Sequence, residues 1–339
     1  MKKIISSIVM AATVAITAVG CTATTETVEN KPFDFNVLEK KQVRVLISAD
    51  AKNEADDDFA IVHTLLTPSF KVQGILSAHY SRSAPYFGRD ADATSTESMK
   101  EIERVLKHMD MKVPLALGSQ KSLEDQAKQK TSPAAQMIVD EANKDSDLPL
   151  YVFVMGPITD VALAYQADPS IADKMTVMWI GGSTYPAGGV EYNMFNDPEA
   201  AQVVFDSEIP LWQIPHNVYM TMRASMAELQ LKVKPHGAIG EYLWEQMVEF
   251  NDYISGQLED PSWPKSEVWV LGDNPLISLL LATEVYDYTM QPAPLLEKGT
   301  MNYLENPKKP REVRVYHAAD ARFTLDDFFT KLALFAETK

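Results

Sequence analysis

Acidic side chains crowd into the stretch SADAKNEADDDFAIVHTLL, residues 48–66, near the start of the chain. Five of them fall within nine positions: Asp50, Glu54, Asp56, Asp57 and Asp58. Like charges this close repel one another, so they either point apart into water or are gathered by a cation. Any one of them could cap a following helix, which is worth about 1 kcal/mol, but capping needs only one acid. The group as a whole therefore indicates a cation site.

The elements around these acids predict where they lie in the fold. After residue 40, short apolar runs alternate with helical patterns, which predicts an α/β fold with an open, mainly parallel, doubly wound (Rossmann-like) sheet. The strand candidates are 42–48, 71–78, 113–117, 150–155, 175–182, 209–214, 267–271 and 311–317. The helix candidates include 98–109, 133–144 and 198–206, and 240–265 is interpreted as a helical insertion that interrupts the alternation.

Three predicted strands end in groups that offer oxygen ligands. Gly156-Pro157 follows one strand and Asp273-Asn274-Pro275 follows another, and each proline suits a first helical position. Ligands of open α/β sheets bind outside the carboxyl ends of the strands. The groups that would meet there are Asp50, Asp56, Asp57, the carbonyl of Met155 and Asp273. Hard oxygen ligands suit Ca²⁺, and no paired histidine spacing suggests zinc.

Composition and the N-terminus narrow the class of protein. With 339 residues and 46% hydrophobic content the chain can bury a large core, and a net charge of -16 argues against a nucleic-acid partner. A basic start and an apolar stretch precede Cys21, the one cysteine of the sequence. This pattern predicts a secretory signal over 1–21. The letters AVGC are similar to a bacterial lipobox, which would lipidate Cys21; a plain signal peptide is the alternative.

The rest of the chain is interpreted as a tether and one domain. Residues 22–40 form the predicted tether, and 41–339 form a single domain without a stretch that could span a bilayer. We therefore expect a cell-envelope protein, on the periplasmic side or in the outer membrane, that contacts a membrane only through its lipid anchor.

Four stretches resemble, in order, the motifs of the inosine–uridine-preferring nucleoside hydrolase family. They are DAKNEADD (50–57), VMGPITDVALA (154–164), IGGSTYPAGGVEYNMFNDPEAAQVVF (180–205) and LGDNPL (271–276). The match covers roughly residues 42–330. The resemblance implies the sheet of that family and a calcium-dependent hydrolysis of the N-glycosidic bond of a ribonucleoside, which yields base and ribose.

The resemblance also implies residue roles. Asp50 would bind calcium and act as the base that activates a metal-bound water, while Asp57, the Met155 carbonyl and Asp273 would complete the metal site. The residues expected to bind the sugar are Asp56, Glu191, Asn193 and, again, Asp273. Asp58 is expected to face solvent or the helix start.

The sequence departs from the family pattern at both ends of the expected site. Ser48 stands where the family has its first Asp, and two extra residues precede Asp56-Asp57. A second register would pair Asp50 with that first Asp and place Lys52 at the position of the base, which would cost the metal a ligand. Lys52-Asn53-Glu54 have no assigned role in either register, and Gly272 replaces a histidine that assists the leaving base.

Other residues are candidates for the base end of the site. His79 and His216 each follow a predicted strand, and either could protonate a departing base. Trp263, Trp269 and Tyr185 could stack on it, although aromatic residues at such positions more often belong to the core.

Two further functions stay open from the sequence. One is a non-catalytic lipoprotein that binds a nucleoside or ribose, and the other is a hydrolase of a different N-ribosyl or glycosidic substrate on the same fold. In each case the expected partner is a small nucleoside or ribosyl compound. A homo-oligomer also stays open.

Overall fold

The computed structural model describes residues 32–125, 131–257, 267–285, 287–308 and 311–339, with backbone only at 256 and 257. The predictions for residues 1–31, including the signal peptide, Cys21 and most of the tether, lie outside the described residues, as does Trp263. No helix of the described ranges is long and apolar enough to cross a membrane.

The described part of the chain contains twelve strands, which are numbered here in chain order. They are β1 (Val43–Ala49), β2 (Phe70–Ser77), β3 (Leu115–Leu117), β4 (Leu150–Val154), β5 (Thr176–Ile180), β6 (Leu211–Ile214), β7 (Arg223–Ser225), β8 (Val268–Val270), β9 (Tyr288–Pro292), β10 (Leu295–Leu296), β11 (Tyr303–Leu304) and β12 (Glu312–Tyr316). Eight of them form the central sheet in the order β3-β2-β1-β4-β5-β6-β12-β9. All neighbours pair in parallel except the edge strand β9, which is antiparallel to β12.

Helices cover both faces of this sheet. They are α1 (Asp56–Leu65), α2 (Thr94–Met109), α3 (Pro133–Ala142), α4 (Thr159–Ala167), α5 (Tyr192–Asn196), α6 (Pro198–Phe205), α7 (His216–Tyr219), α8 (Met226–Lys232), α9 (Gly237–Gln257), α10 (Pro275–Leu281) and α11 (Ala321–Ala336). The predicted doubly wound α/β sheet is confirmed.

Strand β1 shows why the sheet is buried on both faces. Val45 and Ile47 point into the core under α1, α2, α9 and α11, whereas Leu46 points into the core under α3, α4 and α6. All three side chains are fully buried. A nearly continuous apolar run, rather than alternation, is what a parallel strand between two helical layers requires.

The chain reverses its direction of winding between β1 and β4. Strand β2 lies on one side of β1, and β4 lies on the other, with Ser48 paired to Val154. The backbone N–H of Met155 donates to the Ser48 carbonyl at 2.8 Å, so the two strands end together. Such a switch point opens a crevice at the carboxyl ends of its strands.

Several predicted elements differ from the observed ones. The run 267–271 does not join the central sheet, because β8 pairs only with β7, in a separate two-stranded antiparallel sheet. Strand β9 is an edge strand that the sequence prediction missed. Helix α4 begins at Thr159, so the helix start predicted at Pro157 is wrong, while α10 does begin at Pro275. Within the predicted insertion 240–265, helix α9 occupies the described part.

Candidate active site

A cavity of about 490 Å³ opens at the carboxyl ends of β1, β4, β5 and β6. Asp50, Met155, Ile180 and His216 each line it from the end of one of these strands. The small β7–β8 sheet forms another side, because Trp269 and Gly272 also line the cavity. The cavity is therefore placed by the switch point and completed by a two-stranded sheet that is outside the central sheet.

Three carboxylates meet in this cavity. Ligand oxygens of Asp56, Asp57 and Asp273 all lie within 4.8 Å of one another. Asp56 and Asp57 start α1, where the helix dipole favours negative charge, and Asp273 follows β8. Asp56 Oδ2 accepts a hydrogen bond from the Gly272 N–H at 2.9 Å. Asp57 Oδ1 is buried and has no hydrogen-bond partner among the described residues.

The electrostatics of these acids call for a positive charge. Burial raises the pKa of Asp57 well above its usual range, and the neighbouring Asp273 and Asp50 carboxylates raise it further. Burial and the Asp56 carboxylate do the same to Asp273. Burial raises the pKa of Asp56 to about 6, against several backbone hydrogen bonds that lower it. An orphaned buried oxygen in an all-oxygen donor set fits a hard divalent cation such as Ca²⁺.

Asp50 lies in the same cavity but outside this group of three. Its side chain is 1% exposed, and its Oδ2 accepts a hydrogen bond from Asn53 Nδ2 at 2.9 Å. Burial raises its pKa well above the usual range, although the Asn53 hydrogen bond opposes the shift. Asp56, which was expected to bind the sugar, thus lies in one group with Asp57 and Asp273. The roles of Asp50 and Asp56 stay predictions.

The wall at β4 and β5 is held by residues from α5. Asn193 Nδ2 donates to the Met155 and Ile180 carbonyls, each at 2.9 Å. Glu191 caps α5 and accepts from the N–H groups of Gly182, Asn193 and Met194 and from the Tyr219 hydroxyl. Met155, Glu191 and Asn193 all line the cavity, so their predicted contacts with metal and sugar stay predictions.

The mouth of the cavity is apolar and aromatic. Tyr86 is 69% exposed and its ring centre lies 6.1 Å from that of Phe195. A second ring pair is His216 and Tyr219, whose rings meet edge-on with their centres 5.3 Å apart. All four line the cavity. The cavity lining therefore includes two pairs of aromatic rings in addition to the carboxylates.

Three predictions for the base end meet different outcomes. The structure does not bring His79 to the cavity: it is fully buried outside the cavity lining, and its Nε2 lies 2.8 Å from the Thr159 hydroxyl. Tyr185 is also outside the lining and packs on Tyr303 with ring centres 4.6 Å apart. Trp269 lines the cavity but is 1% exposed and packs on Phe250. Of the two histidines considered as leaving-group acids, His216 is the one that lines the cavity.

Asp58 does not face solvent but lies in the first turn of α1, the second of the two positions expected from the sequence. It is fully buried, and neither carboxylate oxygen has a hydrogen-bond partner among the described residues. Burial and the nearby Glu101 carboxylate raise the pKa of Asp58 well above its usual range, while Lys52 and Arg104 oppose the shift. Its acid group therefore belongs to the interior beside α1, not to the cavity.

Several lining residues were not singled out from the sequence as site residues. Asn53 and Glu54 of the inserted loop both line the cavity, as do Tyr192 and Tyr219. Tyr192 stands between Glu191 and Asn193 in the motif VEYN, and Tyr219 follows the carboxyl end of β6. The rule that strand ends face the ligand could have found Tyr219.

Comparison with known proteins identifies the family. A family model described as "Inosine-uridine preferring nucleoside hydrolase" matches residues 45–326. The chain belongs to this family. The solved structure of a purine-preferring ribonucleoside hydrolase from Gardnerella vaginalis superimposes with a TM-score of 0.67 at 16% identity, covering 87% of this chain and 100% of that one. That likeness shows the fold.

The sequences of curated relatives are about one quarter identical to this chain over the aligned residues. Uridine nucleosidase 1 of Arabidopsis thaliana is 26% identical over 56% of this chain and 61% of its own length. The pyrimidine-specific ribonucleoside hydrolase RihA of Enterobacter sp. (strain 638) is 24% identical over 68% of this chain and 77% of its own length. The chain thus spans about three fifths of the Arabidopsis relative. The activity and substrate of the whole protein are matters for proposal.

Proposed function

We propose that this protein is an N-glycosidase that hydrolyses a ribonucleoside to its base and ribose and needs a divalent cation, which we propose is Ca²⁺. The observation that carries this proposal is the meeting of Asp56, Asp57 and Asp273 in the cavity at the switch point of the sheet. Family membership supports the reaction, since the relatives named above are nucleosidases and ribonucleoside hydrolases.

In this proposal, different carboxylates of the cavity have different roles. Asp57 and Asp273 would hold the cation, and Asp56, Asp50 and the Met155 carbonyl would lie beside it. When bound, the cation offsets the charge of these groups and polarises a water molecule. Asp50 accepts the proton of the attacking water, because its Oδ1 is the carboxylate oxygen not engaged by Asn53. The remaining negative charge stabilises the oxocarbenium-like sugar that forms as the bond to the base breaks.

In this proposal, the aromatic residues and His216 at the mouth of the cavity bind the base and help it leave. Tyr86 and Phe195 offer faces on which a base can stack. His216 is the imidazole of the cavity lining, and a proton from it would let the base leave as a neutral molecule. Gly272 has no side chain to do so, and a Cβ there would lie 3.1 Å from Asp56 Oδ2.

The proposal is tested with purified protein on a panel of purine and pyrimidine nucleosides. Ribose release should need Ca²⁺, stop on chelation and be lost in Asp50→Asn and Asp57→Asn. Asp58→Asn is the matched control, because Asp58 is also a buried acid of α1 but does not line the cavity. It should keep activity within a few fold. Equal loss in all three variants would point to misfolding instead of chemistry.

Two alternatives are separated by the same panel. Calcium and ribose binding without turnover would favour a non-catalytic binding protein. The small number of candidate acids near the leaving base, represented by His216, is compatible with that alternative. Turnover of another N-ribosyl compound, with no nucleoside cleaved, would keep the mechanism and change the substrate.

We also propose export and lipid anchoring at Cys21, on the sequence pattern alone. Labelling with a radioactive fatty acid should mark the protein, and Cys21→Ala should remove the label. Release of the unlabelled wild-type protein into the soluble fraction would contradict an anchor.

A further inference from the structure

We propose that the loop 51–55 positions the attacking base: Asn53 orients the Asp50 carboxylate, and Tyr192 orients Asn53. This inference rests on the proposed function, in which Asp50 accepts a proton from water. It gives a role to residues that the sequence left unassigned, and it makes Asn53 and Tyr192 positioning residues, since each acts through Asp50.

The Asp50 carboxylate is fixed from two sides. Its Oδ2 accepts from Asn53 Nδ2 at 2.9 Å. Its Oδ1 lies against Gly156, where an added Cβ would be only 2.6 Å away. The side chain is 1% exposed, so no bulk water competes for these positions. Without Asn53, packing alone would hold one edge of the carboxylate, and the other edge could rotate.

Tyr192 decides which end of the Asn53 amide faces Asp50. The Tyr192 hydroxyl donates to Asn53 Oδ1 at 3.0 Å. Burial raises the pKa of Tyr192 well above its usual range, so the hydroxyl keeps its proton and remains a donor. With Oδ1 engaged there, the amide turns Nδ2 toward Asp50, and an ionised carboxylate can only accept hydrogen bonds. The two hydrogen bonds form one relay with a fixed direction.

The loop backbone is clamped from the other side. Arg89 donates to the carbonyls of Lys52, in a short hydrogen bond, and of Asn53, at 3.3 Å. Its guanidinium lies 5.6 Å from the ring centre of Phe250 and 5.3 Å from that of Tyr253, both on α9. The Asn53 N–H also donates to the Asp50 carbonyl at 2.7 Å. Helix α9 therefore supports the loop that carries the relay.

A double-mutant cycle tests the relay on the intact protein. Asn53→Leu removes both side-chain hydrogen bonds and keeps the size, and Tyr192→Phe removes only the hydroxyl. Because misplacing a catalytic group by about 1 Å can cost 10²-fold in rate, we expect Asn53→Leu to lower kcat by about tenfold to a hundredfold. Tyr192→Phe should lower kcat severalfold. KM should stay within about twofold, and the double variant should be no worse than Asn53→Leu.

Two controls separate positioning from general destabilisation. Asn143 also makes two side-chain hydrogen bonds, with Asp168 and Lys174, far from the cavity lining. Tyr288 lies on the edge strand β9. Asn143→Leu and Tyr288→Phe should leave kcat unchanged. Additive losses in the cycle, a change in KM alone, or an unchanged kcat in Asn53→Leu would overturn the relay.

Failure of the relay is distinguishable from failure of the proposed function. If the wild-type protein cleaves no nucleoside, the proposed function is wrong, and calorimetric titration with Ca²⁺ becomes the readout. The family resemblance also implies that Asp50 binds calcium, so Asn53→Leu, which frees the Asp50 carboxylate, should then weaken calcium binding by about tenfold. Adding Tyr192→Phe to Asn53→Leu should weaken it no further. Equal affinity in wild type and Asn53→Leu would overturn the inference.

Discussion

Replacing Gly156 with alanine should disable the site without unfolding the protein. A Cβ at this position would lie 2.6 Å from Asp50 Oδ1 and 2.7 Å from its Cγ, whereas ordinary contact begins at 3.4 Å. The carboxylate would have to retreat by about 0.8 Å, and Asn53 blocks an easy retreat. Since a shift near 1 Å can cost 10²-fold in rate, we expect kcat to fall by between about tenfold and a hundredfold.

The stability of this variant should change far less than its activity. Overpacking by one methyl group costs about 1–3 kcal/mol, which lowers the melting temperature but leaves the protein folded at 25 °C. Steady-state ribose release and thermal melting, each with and without Ca²⁺, measure the two effects separately.

Gly74→Ala is the matched control. Its added Cβ would also come within 2.6 Å of a neighbour, but that neighbour is the Met137 sulfur, the flexible end of a side chain outside the cavity. This variant should lose some stability and keep its kcat. A Gly156→Ala protein with kcat within twofold of wild type would refute the claim that the position of the Asp50 carboxylate limits the reaction.

Three further predictions concern Asp57, His63 and His216. In metal-free protein, Asp57→Asn should raise the melting temperature by removing a repelling carboxylate, and it should abolish the gain of about 2.7 kcal/mol that Ca²⁺ at a hundred times its Kd gives the wild type in calorimetry. Burial lowers the pKa of His63 from 6.5 to about 4, so the unfolded chain takes up the proton first as pH falls. Urea titrations should therefore show wild-type stability falling by up to about 3 kcal/mol between pH 6.5 and 4 relative to His63→Gln. His216→Gln should slow the release of ordinary bases at least tenfold but spare a nitrophenyl riboside, whose leaving group needs no proton; equal slowing of both would count against His216 as the acid.

The sequence predicts the part of the site that depends on strand ends. Asp50 and Met155 follow strands whose apolar runs mark them as buried and parallel, so their meeting at one edge follows from the order of elements. Asp273 reaches the same cavity for a different reason, because the strand before it belongs to the two-stranded β7–β8 sheet. The sequence placed that strand in the central sheet, since an apolar run of three to five residues does not reveal its partner strand.

The errors concern side-chain direction and long-range packing. Asp58 was expected to face solvent or the helix start, and it lies in the first turn of α1 on the face that turns to the interior. His79 follows a strand end, as Asp50 does, yet its ring is buried beside Thr159. The role of Asn53 depends on Tyr192, which is distant in the sequence. Such pairings arise only when the chain is folded, and spacing along the chain does not encode them.

The most direct test of the account is calcium-dependent ribose release by wild type and Asp57→Asn, measured on the same nucleoside panel with calcium binding followed in parallel. The account predicts that wild type binds Ca²⁺ and releases ribose, that chelation stops release, and that Asp57→Asn loses both binding and turnover. Wild-type turnover that persists under chelation, or full activity in Asp57→Asn, would contradict it.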